Sequence, residues 1–73
     1  MCGVYYLTDG LDVLYVGASR NVERRIRRHQ LDNRIDFSQV FVDQCAPDQL
    51  PVMEAKAIRE FNPPLNEANT TIR

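Results

Sequence analysis

Two runs of β-branched and aromatic residues, Val4-Tyr5-Tyr6-Leu7 and Val13-Leu14-Tyr15-Val16, stand close together with an Asp9-Gly10 pair between them. Asp-Gly flanked by such runs is a strong local signal for a tight reversal, because glycine adopts positive φ without steric cost. The spacing predicts a β-hairpin over residues 3–17, turning at Asp9-Gly10-Leu11. The whole chain has only 73 residues, so the hairpin has to be covered by the segments that follow it. A second hydrophobic core does not fit in that length. A single domain is expected, with its core over 3–66 and a polar tail over 67–73.

Further punctuation marks the other elements. Gly17-Ala18-Ser19 ends the hairpin, and Ser19 or Asn21 can cap a helix whose first turn carries Glu23, where a negative charge suits the helix dipole. This helix is expected near 20–31, ended by Asp32-Asn33-Arg34. Val40-Phe41-Val42, preceded by Phe37, predicts a third strand near 37–43. A second helix is expected near 48–61, tolerating Pro51 in its first turn and stopping at Asn62-Pro63-Pro64. The result is an α/β (α+β) class with strands and helices interleaved. No apolar run approaches the roughly 18 residues of a membrane span, and Met1-Cys2-Gly3 does not open a secretory leader. Cys2 and Cys45 are too few for a disulfide framework and lack zinc-site spacing. They are expected as free thiols in a reducing cytoplasm, with no membrane partner.

The net charge of −1 would argue against a polyanionic partner if it were evenly spread. Residues 19–34 hold six arginines against Glu23 and Asp32, a local charge of +4, so the remainder carries −5. Such asymmetry fits a polyanion-binding face, or else a solvated arginine-rich helix.

Both helices carry a misplaced polar group. At about 100° per residue, Val22, Ile26 and His29 share one side of the first helix, opposite Arg20, Arg24, Arg27 and Arg28. Arg25 lies one turn before His29, at the edge of the apolar stripe. It is expected to be partly sheltered and to need an anion. In the second helix, Glu54 interrupts the stripe formed by Leu50, Met53, Ala57, Ile58 and Phe61. A sheltered carboxylate is paired or bound to a cation, so Glu54 either bridges to Arg25 or ligates a metal. His29 can be a catalyst or a hydrogen-bonded core residue.

Gly3-Val4-Tyr5, Tyr15-Val16-Gly17, Ser19, Asn21, Arg25, His29, Glu54 and Pro63-Pro64-Leu65-Asn66 follow one another in an order that resembles the GIY-YIG endonuclease family. The resemblance spans residues 3–66. It implies a three-stranded antiparallel sheet flanked by helices and a metal-dependent hydrolysis of phosphodiesters. Nine residues, Tyr6 to Leu14, separate the two tripeptides, fewer than is usual in the family. If Tyr5 and Tyr15 share a sheet face, they must pair directly or at an even offset.

By the same resemblance, Glu54 is the single carboxylate for one divalent ion, Mg²⁺ or Mn²⁺, and Arg25 contacts the scissile phosphate. Tyr5 or Tyr15 acts as general base or orients water, His29 relays a proton or bonds the phosphate, and Asn66 orients the site by hydrogen bonds. Gly3 and Gly17 mark close approach of a phosphate or a kink, or are ordinary strand-end glycines. Arg20, Arg24, Arg27, Arg28 and Gly17 are the candidate nucleic-acid contacts. Tyr6, on the other sheet face, is expected in the core. With no sequence left for a separate reading domain, the expected activity is structure-selective, weakly selective or guided by a targeting protein or a second copy. The alternative is a non-catalytic module of nuclease fold that recognises branched or nicked DNA.

Overall fold

The computed structural model describes residues 1–66. The expected polar tail over 67–73 lies outside the described residues. Elements follow in the order β1 (Gly3–Asp9), β2 (Asp12–Ser19), α1 (Val22–Asp32), β3 (Gln39–Gln44), a short 3-10 turn (Pro47–Gln49) and α2 (Leu50–Phe61). The sheet is antiparallel throughout, in the order β2-β1-β3. The strand carrying Tyr5 is therefore central. Among the described residues, no helix is long and apolar enough to cross a membrane.

The hairpin departs from expectation in one consequential way. Asp9 pairs with Asp12, so the loop has two residues, Gly10 and Leu11, instead of three. Gly10 has φ +64° while Leu11 is not left-handed, as a II′ turn requires of its first central position. A two-residue loop continued without interruption would set Tyr15 opposite Tyr6, on the face away from Tyr5. The register instead shifts between Leu7 and Thr8: Thr8 pairs with Val13, but Leu7 pairs with Tyr15. Leu14 is the extra residue of a β-bulge, which reverses the facing of everything after it. Tyr5 then lies opposite Gly17, and Tyr15 two positions along on the same face.

The two faces are covered by different helices. Tyr5, Leu7 and Val22 form a buried cluster with Tyr15, Ile26, Ile35, Phe37, Val40 and Val42 against it, so α1 covers this face. Val4, Val16 and Ala57 form the other cluster with Ala18, Leu50, Met53 and Ile58, so α2 covers the opposite face. Tyr6 belongs to that second side but is only half-buried. Its hydroxyl donates to Asp43 Oδ2 at 2.8 Å, and its ring meets Phe61 edge-on at 5.6 Å. The hydroxyl needs a polar partner, which holds Tyr6 at the margin of the core.

Asn21 is the N-cap of α1, its side chain accepting from the Arg24 amide at 3.2 Å. Ser19 instead accepts from the Asn21 amide. Asn33 closes the helix in the left-handed region at φ 57°, and Asn62 does the same for α2 at φ 47°. Asn62 turns the chain back toward the sheet, and Pro63 is buried there. Residues 64–66 are then helical.

Candidate active site

The face between α1 and the sheet gathers three rings. Tyr5 is fully buried, and its hydroxyl lies 2.9 Å from His29 Nε2. The Tyr15 ring is centred 6.2 Å from that of Tyr5, and the His29 ring 5.7 Å from Tyr5 and 5.1 Å from Tyr15. His29 arrives because Val22 and Ile26, on the same helical side, are packed against the sheet. The two tyrosines share the face through the Leu14 bulge.

Gly17 is part of this construction. A Cβ there would stand 2.4 Å from both Cζ and the hydroxyl oxygen of Tyr5. The missing side chain is the space into which the Tyr5 ring leans. Gly3 serves the other neighbour: a Cβ would lie 2.3 Å from the Asp43 carbonyl oxygen on β3. Both glycines are thus accounted for by close approach within the protein.

Charge around the phenol comes from both helices. Burial is the main influence on the Tyr5 phenol and pushes its pKa well above the ordinary tyrosine value, and Tyr15 and Glu54 push the same way. The Arg25 guanidinium opposes them by stabilising the phenolate, but burial prevails. Tyr5 is therefore a protonated phenol at neutral pH. His29 is pushed below the ordinary imidazole value, chiefly by burial, then by the positive charges of Arg25 and Arg28, with Asp32 opposing. A neutral imidazole has one ring nitrogen free to accept, and it meets a phenol that retains its proton.

Glu54 is half-buried on α2 and Arg25 is exposed on α1. The expectation of a sheltered Arg25 is corrected here. Arg25 stands at the open flank of α1, yet it still acts on the Tyr5 phenol. Arg20, Arg24, Arg27 and Arg28 are all exposed along the outside of the same region.

Asn66, which the resemblance singles out as orienting the site by hydrogen bonds, bonds the backbone of β2. Its side-chain amide donates to the Val16 carbonyl at 2.7 Å, and its Oδ1 accepts from the Val16 amide. Asn66 is buried, and β2 is an edge strand. The carboxamide therefore substitutes for a neighbouring strand at the one residue between Tyr15 and Gly17. Pro63 and the helical residues after it deliver that side chain, so the segment beyond α2 reaches the site through backbone contacts.

Among the described residues no cluster of three or more His, Cys, Asp and Glu side chains gathers to hold an ion. What the site could offer an ion is the half-buried carboxylate of Glu54, whose charge is felt at Tyr5. Such a donor suits a hard divalent ion that keeps water ligands and takes phosphate oxygens. Neither a curated protein nor a solved structure matches the chain. The family model described as the GIY-YIG catalytic domain matches residues 1–66, the same stretch that forms the sheet, both helices and the Asn66 turn. The chain therefore belongs to the GIY-YIG family of endonucleases.

Proposed function

We propose that this protein hydrolyses DNA phosphodiesters with the help of one divalent cation, Mg²⁺ or Mn²⁺. The observation that carries the reading is the convergence of Tyr5, Tyr15 and His29 from β1, β2 and α1, with Arg25 and Glu54 acting on the same phenol from two helices. A phenol with a raised pKa is a poor resting base. Beside a neutral imidazole it need not ionise in advance. Tyr5 is fully buried in the free chain, so the step requires the substrate to bring a water to its oxygen; that oxygen takes a proton from the water as its own passes to His29 Nε2, and no free phenolate accumulates. Tyr15, half-buried beside both rings, orients the water. Arg25 contacts the phosphate and stabilises the charge that develops on it. Glu54 would hold the ion, which supplies neutralisation of the scissile phosphate and the departing oxygen.

The exposed arginines of the α1 region contact backbone phosphates and position the nucleic acid without reading its sequence. The selectivity of this reading is for structure, is weak, or comes from a targeting protein or a second copy of the chain. The test is cleavage of linear, nicked, flap and branched DNA with Mg²⁺, Mn²⁺ or chelator, using the native chain and Glu54→Gln. The native chain should cut only with metal, and Glu54→Gln should bind DNA but not cut it. Full cleavage by folded Glu54→Gln at low Mg²⁺ would overturn the metal assignment. Binding to branched or nicked DNA without cleavage under any metal would favour the non-catalytic module.

A further inference from the structure

The site leaves one reactive pair of side chains unused. The β1–β3 register runs Val4 to Asp43 and Gly3 to Gln44, and one step further it brings Cys2 opposite Cys45. The backbone continues the ladder there, with the Cys45 amide donating to the Cys2 carbonyl at 3.1 Å. Residues directly opposed in a hydrogen-bonded antiparallel pair have Cα atoms about 5.5 Å apart, inside the range that a disulfide spans. Opposed residues also project to the same side of the sheet. Both cysteines are half-buried free thiols.

We propose that Cys2 and Cys45 form a redox-modifiable dithiol, which a small-molecule disulfide of the glutathione class converts to an intrachain cross-strand disulfide. The thiolate of one cysteine attacks the small disulfide, forming a mixed disulfide and releasing one thiol. The second cysteine then attacks the protein sulfur of that mixed disulfide, forming the Cys2–Cys45 bond and releasing a second thiol. Two electrons pass from the protein to the oxidant, and the two cysteine protons end on the two released thiols. Burial, and next the neighbouring Cys2 charge, push the Cys45 thiol above its ordinary range.

The consequence is mechanical. The bond would fasten the start of the central strand, three residues before Tyr5, to the end of β3. It would also close a loop containing all three strands and α1, which removes freedom from the unfolded chain. Two unrelated surface thiols would instead cross-link between molecules or remain capped.

The experiment treats the full chain with oxidised glutathione under native conditions. Intact mass, non-reducing electrophoresis and thermal melting are then measured, with Cys2→Ser and Cys45→Ser as controls. The native chain should form no disulfide-linked dimer, lose two hydrogens, resist alkylation and melt at least about 5 °C higher, with dithiothreitol reversing each change. Each single variant should keep one glutathione and show no such rise. Two retained glutathiones, disulfide-linked dimers as the main product, or an intrachain bond formed only in denaturant would each overturn the proposal.

Discussion

Replacing Gly17 with alanine tests the construction of the site at its tightest point. The added Cβ would sit 2.4 Å from Cζ and from the hydroxyl oxygen of Tyr5, whereas ordinary contact begins at 3.4 Å. One of the two must retreat by about 1 Å. Gly17 is held from both sides, by Tyr5 across the β1–β2 ladder and by the Asn66 clamp on adjacent Val16. Movement therefore falls to the Tyr5 ring, which is fully buried and has nowhere to go without displacing Leu7, Val22 or His29. Overpacking of this kind costs about 1–3 kcal/mol, or a melting temperature lowered by at least about 4 °C in a domain this small. A 1 Å retreat of the hydroxyl also breaks its 2.9 Å hydrogen bond with His29, and misplacement on that scale can cost about 10²-fold in rate.

The assay pairs thermal denaturation with single-turnover cleavage, so that a slower chemical step is separated from a smaller folded fraction. Tyr5→Phe in the Gly17→Ala background completes a cycle. Removing the hydroxyl relieves one of the three close approaches, to the hydroxyl oxygen, Cζ and Cε1, so the double variant should be more stable than additivity allows, by at least about 0.5 kcal/mol. A Gly17→Ala chain with native stability and a defect only in DNA affinity would refute this reasoning. It would return Gly17 to the role of a phosphate approach point.

The remaining expectations concern the clamp, the imidazole and the basic face. Asn66→Ala leaves the Val16 amide and carbonyl without their partner and should destabilise the fold by about 2–3 kcal/mol in chemical denaturation; Asn66→Asp, which keeps the acceptor but not the donor, should fall between. His29 is the chain's sole histidine, so its NMR titration is read directly, and the midpoint should lie below the ordinary value of about 6.5. Because the folded state takes up that proton at lower pH than the unfolded chain, the associated stability is complete above about 6.5 and lost as pH falls through the folded midpoint. The cleavage rate should fall over the same acid limb, and Arg25→Gln should raise the midpoint; a midpoint at or above 6.5 contradicts the buried neutral imidazole. Arg24→Glu with Arg28→Glu should weaken DNA binding and reduce the log–log salt slope by roughly 0.7 to 0.9 for each phosphate that is no longer neutralised. An unchanged slope in that double variant would make these arginines a solvated face.

The sheet, the helices and the ring cluster differ in how legible they were from sequence, and the difference is physical. Helix limits are written in residues that act locally: Asn21 bonds an amide three residues on, while Asn33 and Asn62 accept a left-handed backbone. The packing of Val22, Ile26 and His29 toward the sheet follows from helical periodicity alone. By contrast, whether Tyr15 shares a face with Tyr5 depends on parity along the hairpin, and parity is the sum of loop and bulge. A three-residue loop without a bulge and a two-residue loop with one place Tyr15 on the same face. Asp9-Gly10 signals a turn without counting its residues, and Leu14 has nothing in its own chemistry that marks it as the extra one. What selects the bulge is the burial on both faces: slipping by one residue would take Val16 out of the α2-side cluster onto the α1 side and bring Tyr15 onto the α2 side. Asn66 is the other long-range element, fifty residues from the backbone it clamps. Its action depends on Val16 lying at a sheet edge with its amide and carbonyl open, a condition set by the strand order β2-β1-β3 and by no residue near Asn66. The same topology makes the clamp effective. An edge strand with a bulge is the part of a small sheet most able to slip, and Asn66 pins it at the single residue that separates Tyr15 from the glycine beneath Tyr5.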